Sequence, residues 1–340
     1  MHQQGPSESL RALGDGTSVL VQPNDSVVPV LDLIESARSS VFIKQFTFTH
    51  AAILEAVIEA HRAGRDVRIM LNPHRSSGDR ANDEAFATLE AAGVKMQWSN
   101  PAFAVTHEKS MVVDGSRGLI ATFNFCEKYF THTRDYGVLT EEADEVAQIR
   151  NCFLADWDRH RFEPRAGSAL LWSNRNSRRI MSLFIDQARH TLDVQHPKFV
   201  DATILERIVQ ARRRGVRVRV LCGGRHGISD WDVLDTFSSL RVLGHLDVRV
   251  RKQKNLRLHA KLLIADERTG LIGSMNIDRS AFDQRRELGA VIAGKAALHR
   301  LRKVFEDDWQ DAHRYEPPDP LLSHLHPEDD FPHDPDLHHE

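Results

Sequence analysis

The chain has 340 residues, a formal net charge of −3 and 41% hydrophobic residues. That length exceeds an ordinary single domain and the composition is globular, which argues against an unstructured chain and for two domains or one large duplicated domain. The small net charge argues against a chain-wide preference for nucleic acid or an acidic partner.

Three cysteines, Cys126, Cys152 and Cys222, are odd in number and far apart, which fits small buried hydrophobes in a reducing compartment better than a disulfide framework. The start, "MHQQGPSESLRALGDG", has neither a basic n-region nor an apolar h-region, and no later stretch offers about 18 uninterrupted apolar residues. A cytoplasmic protein is expected, and peripheral contact with a membrane surface is compatible with that.

Residues 1–16 are expected to be a flexible start. After them, "ESARSSVFI" (35–43) leads to "AAILEAVIEAHRAGRDVRIML" (51–71). In the latter Ile53, Leu54, Val57 and Ile58 recur at helical spacing, Gly64 is the residue type that closes a helix, and "DVRIML" alternates as a strand does. Then come "HEKSMVVDGSRGLIATFNF" (107–125) and "FLADWDRHRFEP" (153–164). The succession returns at a shift of about 151 residues, as "DQARHTLDV" (186–194), "DATILERIVQARRRGVRVRVL" (201–221), "HAKLLIADERTGLIGSMNI" (259–277) and "FEDDWQDAHRYEP" (305–317).

The chain therefore divides into two units, 17–166 and 167–318. Each reads helix, strand, helix, strand, helix, strand, strand, helix, which predicts an α/β fold of two sandwich halves with mixed sheets, related by a pseudo-twofold axis. The end, residues 316–340, is rich in Pro, Asp, Glu and His, so 319–340 is expected to be a disordered acidic tail, and its five histidines are weaker ground for a metal site.

Counted from its histidine, each central block carries Lys at +2 (Lys109, Lys261), Asp at +7 (Asp114, Asp266), Gly at +11 (Gly118, Gly270), Asn at +17 (Asn124, Asn276) and an acid at +28 (Asp135, Glu287). Along a strand, residues i and i+2 share a face, so each His–Lys pair projects toward one ligand while Glu108 or Ala260 points away. Lysine is a good point charge for phosphate, and histidine beside it can act as nucleophile or proton carrier, a combination that suggests phosphoryl chemistry without a metal. The asparagine can donate to a phosphate oxygen, and the acid can hold the second imidazole nitrogen. Asp114 and Asp266, at the strand ends, are expected to stabilise turns.

This doubled H-x-K-x4-D pattern resembles the phospholipase D superfamily over residues from about 20 to 318, in particular its cardiolipin synthase-like bacterial branch. The resemblance implies a bilobal fold with one active site between the halves, a covalent phosphohistidine intermediate and no cofactor or metal. Carried over residue by residue, the site comprises His107, Lys109, Asn124 and Asp135 with His259, Lys261, Ser274, Asn276 and Glu287. The resemblance favours His107 as nucleophile and His259 as general acid. The first half departs from the family pattern: Ala121-Thr122 stands where the second half has Gly273-Ser274, and Asp135 is one methylene shorter than the commoner glutamate, so its contact with a histidine would need a backbone shift or a water.

The implied substrate is a phospholipid or another phosphodiester, hydrolysed or transferred to an alcohol. A nuclease is the alternative, disfavoured by the near-neutral charge balance of the chain, since nucleic-acid binding usually brings a broad basic surface, and a catalytically inactive anionic-lipid or nucleic-acid binding scaffold is the alternative of another class. One copy carries both motifs, so a monomer suffices. The stretch 249–261 brings Arg249, Arg251, Lys252, Lys254 and Arg257 ahead of the second motif, a cationic lip opposite an apolar one of Trp98, Pro101 and Phe103. Arg212, Arg213 and Arg214 are expected to face solvent, and Trp157 and Trp309 to anchor the core.

Overall fold

The computed structural model describes residues 10–74, 78–225, 228 and 230–319. Two rounds of one element succession build the chain. The first runs β1 (Ser18–Gln22), α1 (Val28–Glu35), β2 (Ser40–Gln45), α2 (Ala51–Arg62), β3 (Asp66–Leu71), α3 (Asp83–Ala91), β4 (Lys95–Trp98), β5 (Ser110–Val113), β6 (Arg117–Ala121), α4 (Glu127–Thr131), β7 (Thr133–Thr140) and α5 (Ala143–Trp157). The second runs β8 (Leu170–Trp172), α6 (Ser177–Gln187), β9 (Thr191–Gln195), α7 (Ala202–Arg213), β10 (Arg217–Cys222), α8 (Asp230–His245), β11 (Arg249–Lys252), β12 (Arg257–Leu258), β13 (Leu262–Ala265), β14 (Thr269–Gly273), α9 (Arg279–Asp283), β15 (Leu288–Ile292), α10 (Lys295–Asp311) and β16 (His313–Arg314).

Each round holds more strands than its local pattern announces. β1 and β8 open the halves, and β7 and β15 follow the one-turn helices α4 and α9. These strands carry no clean polar–apolar alternation, because both faces are buried in β7 and β15.

In the first sheet the order is β1-β7-β6-β5-β2-β3-β4, and in the second β16-β11-β10-β9-β13-β14-β15-β8. β2, β3 and β4 are parallel, joined by α2 and α3, whereas β5, β6 and β7 are antiparallel, so the sheet is mixed as expected. β12 leaves its own half and pairs with β7, and Thr106 of the first half bridges Arg286 of the second.

Alternation along the strands divides the core. On the outer face Val41, Ile43, Met111 and Val113 pack on Val30 and Ile34 of α1 and on Ile53 and Val57 of α2. On the inner face Val112, Ile120 and Val138 share one cluster with Leu262, Ile264, Ile272 and Ala290 of the other half, together with Ile149 of α5 and Leu301, Phe305 and Trp309 of α10. Neither half covers its inner face alone, so the halves fold against each other.

Of the start expected to be flexible, residues 10–16 are anchored: the Leu13 side chain is buried, its N–H donates to Val291 O (2.8 Å), and Ala293 N donates to its carbonyl (2.7 Å). Residues 1–9 and most of the expected disordered tail, 320–340, lie outside the described residues. The three cysteines are buried free thiols. Trp309 is buried, and Trp157 is half-buried and stacks on Phe153. Among the described residues no helix is long and apolar enough to cross a membrane.

Candidate active site

Each histidine–lysine pair sits immediately ahead of a strand, β5 or β13, in an extended connection rather than inside the strand. The opposite half holds that connection. His107 N and Glu108 N donate to Arg286 O (3.0 and 2.9 Å), and His259 N donates to Arg134 O (3.2 Å). Arg286 and Arg134 each precede an acid by one residue, so the backbone pairing delivers each acid to the other half's histidine. His107 Nδ1 lies 3.0 and 3.1 Å from the two carboxylate oxygens of Glu287. His259 Nδ1 lies 2.6 Å from Asp135 Oδ1. The short aspartate reaches its histidine directly, at hydrogen-bond distance, so the contact needs no bridging water. Spacing alone left open which histidine each acid serves, and the answer is a crossed arrangement.

Burial, followed by the charges of Lys109, Arg285 and Lys261, pushes the His107 imidazole well below its ordinary value. The neutral ring donates Nδ1–H to Glu287, and its Nε2 lone pair has no hydrogen-bond partner among the described residues. His259 differs: Lys261 Nζ stands 2.7 Å from its Nε2. Burial lowers His259 to about 3 against the opposing pull of Asp135. Burial also drives Lys261 well down, and Lys109 adds to the effect. Because Lys109 depresses His259 while Lys261 depresses His107, the two pairs feel each other across one site.

The two acids also differ. Burial raises Glu287 to about 7. Burial raises Asp135 as well, but His259 and hydrogen-bond donors outweigh it and hold the carboxyl below its ordinary value. Thr122 Oγ1 donates to Asp135 Oδ1 (2.5 Å) and accepts from Tyr136 N (2.9 Å). Ser274, at the same place in the second half, accepts from Leu288 N (3.1 Å) and donates to Leu288 O (3.3 Å). The Ala121/Gly273 difference has a steric reason: a Cβ on Gly273 would fall 2.7 Å from Gly289 Cα and 2.8 Å from Leu288 O, so this tighter strand pair admits only glycine. Asn124 Oδ1 accepts from Thr47 N (3.3 Å), and Asn276 Oδ1 is buried without a hydrogen-bond partner. Each lysine also bonds its own motif, Lys109 to His107 O (2.8 Å) and Lys261 to His259 O (2.7 Å).

Asp114 accepts from the N–H groups of Arg38, Ser39 and Ser40, and Asp266 from those of Arg189, His190 and Thr191. They tie the turn after β5 or β13 to the entry of β2 or β9, away from the histidines. Burial is the largest single influence on Asp114 and raises it, yet the backbone donors of Ser40, Ser39 and Arg38 together outweigh burial and bring it down to about 2.

Several residues around the site have no signal in the motif. Arg286 pairs with Asp156 (2.7 Å), and Arg134 pairs with Asp308 (2.7 Å), each bond joining the two halves. Glu108, the intervening residue of the first motif, faces away from the lysine and meets Lys44 Nζ (2.9 Å), which also touches Asp156 (2.7 Å). Burial works against the Lys44 ammonium, but Asp156, Cys152 and Glu108 outweigh it. Glu108, Cys152 and Asp156 form a metal-like donor set, and the lysine ammonium stands among them. The repeat could have flagged the arginine–aspartate pairs, since both partners recur. It could not flag Lys44, whose counterpart is Gln195.

The expected cationic lip is smaller than its sequence suggests. β11 lies between β10 and β16, so Lys252 is buried with its ammonium over the Tyr315 ring, and Arg251 lies over Trp309 and donates to its carbonyl (2.6 Å). Arg249 and Lys254 are exposed, and Arg257 is half-buried. Opposite, Pro101 is exposed, Trp98 stacks on Phe86 (4.1 Å between centroids), and Phe103 lies 4.1 Å beneath the Arg286 guanidinium. Arg213 and Arg214 are exposed and Arg212 is half-buried.

The family profile described as "Cardiolipin synthase, PLD-like domain" matches the chain twice, over residues 30–157 and 181–309. The sequence is 23% identical over 329 residues to cardiolipin synthase 1 of Staphylococcus epidermidis, covering 82% of this chain and 64% of that protein. It is 24% identical over 267 residues to a cardiolipin synthase of Staphylococcus aureus, covering 70% and 52%. The chain thus spans roughly half to two thirds of the length of these relatives. Its fold is similar to that of a phosphatidylserine synthase from Haemophilus influenzae (TM-score 0.71, 14% identity, 90% of this chain and 89% of that one). It is also similar to that of a polyphosphate kinase from Porphyromonas gingivalis (TM-score 0.71, 16% identity, 89% of this chain and 50% of that one). With two family matches placed on two copies of one fold, the chain belongs to the cardiolipin synthase-type, phospholipase D-like family.

Proposed function

We propose that this protein is a phosphodiesterase or phosphatidyltransferase acting on phospholipids through a covalent phosphohistidine. The observation that carries the reading is the crossed pair of imidazole–carboxylate contacts, His107–Glu287 and His259–Asp135, with a lysine beside each. His107 is the nucleophile in this reading, because its Nε2 lone pair is unengaged. Attack on phosphorus forms the N–P bond as the P–O bond to the leaving alcohol breaks.

His259, carrying a proton on Nε2, donates it to that alcohol, and Asp135 stabilises the imidazolium. The resting His259 is held low by burial and Lys261; a phosphodiester anion between Lys109 and Lys261 offsets that repulsion and restores the proton. The same Nε2 then takes a proton from water or a second alcohol, whose oxygen bonds to phosphorus as the N–P bond breaks and His107 Nε2 regains its lone pair. The names of the relatives favour phospholipid substrates, and contact with a membrane surface would follow from them.

The test is turnover of phosphatidylglycerol, phosphatidylcholine and single-stranded DNA in the presence of EDTA, read for released alcohol, cardiolipin or cut strand. Lipid turnover that falls on the order of a thousandfold in both His107→Ala and His259→Ala is expected. Cleavage of DNA alone would favour a nuclease. Loss of activity in EDTA, or a dispensable histidine, would overturn the mechanism.

A further inference from the structure

The two acids are held in different ways. Glu287 presents both carboxylate oxygens to His107 at nearly equal distances, 3.0 and 3.1 Å. Asp135, one methylene shorter, presents only Oδ1 to His259, at 2.6 Å. Its second oxygen is turned away from the imidazole into the protein, where the acid is fully buried. A buried carboxylate oxygen without a donor is costly, and a carboxylate free to rotate would exchange the oxygen that faces the ring.

Thr133, the first residue of β7, meets that second oxygen: Thr133 Oγ1 donates to Asp135 Oδ2 at 2.6 Å. The Tyr129 carbonyl is farther from the same hydroxyl, at 3.3 Å, so the single hydroxyl proton goes to the carboxylate. Thr133 is itself buried. The matching position of the second half is Arg285, whose Nε bonds Ser280 instead and which has no hydroxyl to offer. Among the described residues this position therefore supplies a hydroxyl in the half with the shorter acid and an arginine in the other. Thr122 is not its equivalent, because Thr122 shares Oδ1 with His259, and Ser274 occupies the Thr122 place in the other half.

We propose that Thr133 is a positioning residue for the reaction: its hydroxyl clamps Asp135 Oδ2 and so fixes Oδ1 against His259 Nδ1, compensating for the missing methylene. This rests on the phosphodiester-transfer reading of the site. Among the described residues the Thr133 hydroxyl bonds the carboxylate and not the imidazole, so it acts through Asp135.

Thr133→Val keeps the shape and removes the hydroxyl, and Thr133→Ser keeps the hydroxyl. For Thr133→Val a fall in kcat of roughly tenfold to a hundredfold is expected, the range typical when a partner that orients a catalytic ligand is lost, with KM changed less than about twofold. Thr133→Ser should recover most of the loss. If Thr133→Val does not fold, Thr133→Ala, with less bulk at the site, takes its place with the same expectation.

A second readout needs no turnover. The Nδ1–H proton of His259, bonded to a carboxylate at 2.6 Å, should give a far-downfield proton resonance that vanishes in His259→Gln, shifts upfield or broadens in Thr133→Val, and persists in Thr133→Ser. An unchanged resonance and kcat in Thr133→Val, or an equal loss in Thr133→Ser, would overturn the proposal. A parent protein without phosphodiester turnover would instead remove the proposed function, and the resonance would still report on Thr133.

Discussion

Lys44 offers the sharpest test of how the fold holds the first motif. Its side chain is fully buried, with the ammonium 2.9 Å from Glu108 and 2.7 Å from Asp156. Lys44→Met keeps most of the aliphatic stem and deletes the charge. Removing one partner of a buried ion pair typically costs about 3–5 kcal/mol, because the other charge is left buried and uncompensated. Here the cost is divided. Asp156 keeps Arg286 at 2.7 Å, whereas Glu108 keeps the Ser110 hydroxyl at 2.7 Å and, among the described residues, no second ion pair in direct contact.

One stranded carboxylate rather than two places the loss near the low end of that range, about 3 kcal/mol. Urea unfolding followed by tryptophan fluorescence should show it as a lower midpoint at unchanged slope. Lys44→Met combined with Glu108→Gln should lose less than the sum of the single changes, by roughly 1–2 kcal/mol, since the second substitution removes the stranded charge. A single-variant loss under about 1 kcal/mol, or strict additivity, would show that the network does not stabilise the fold as argued. Activity should fall with stability held above threshold by low temperature, because Glu108 lies between His107 and Lys109 and its anchor fixes their direction.

Glu287 is raised to about 7 by burial, so it holds His107 as a carboxylate only above that pH; turnover should decline as pH falls through about 7, and Glu287→Gln should remove that limb while lowering kcat by at least about tenfold. The stability effect has the opposite sign. A raised folded-state value stabilises the protein below the ordinary value of 4.5 and ceases to do so as pH rises through about 7, so Glu287→Gln should gain stability relative to the parent at pH above 7, which a pH series of melting temperatures would show. Asp114, depressed to about 2 from 3.8, stabilises above the ordinary value, and that contribution disappears as pH falls toward 2. Asp114→Asn should cost about 1–2 kcal/mol at neutral pH, allowing for solvent screening, and almost nothing near pH 2. Arg134→Met leaves the Asp308 carboxylate with the Gln195 amide (2.8 Å) but no guanidinium, and should lower the melting temperature by several degrees; an unchanged melting temperature would show that the cross-half ion pair is not needed for assembly.

The duplication, the mixed α/β class and the five matched offsets of the two motifs are properties of the linear chain, because repeats and spacings survive without coordinates. Local alternation announced strands such as β3 and β10, whose residues face a helix layer on one side and differ in polarity. It is missing in β7 and β15, where both faces are buried and polarity no longer alternates, so nothing local announces the strands carrying Asp135 and Glu287. The cationic lip was overcounted for a related reason: a run of arginines and lysines does not say which of them a neighbouring strand will cover, and β16 and Tyr315 cover Arg251 and Lys252.

Only the tertiary structure decided which acid serves which histidine. That choice depends on β12 pairing with β7 and on Thr106 bridging Arg286, contacts between residues more than a hundred positions apart. Such pairings are selected by the shared inner core of the two halves, a non-local free energy that no short stretch of sequence contains. The Lys44 network and the Thr133 clamp are of the same kind: each breaks the repeat's symmetry at one position, and its meaning appears only when the opposing elements meet.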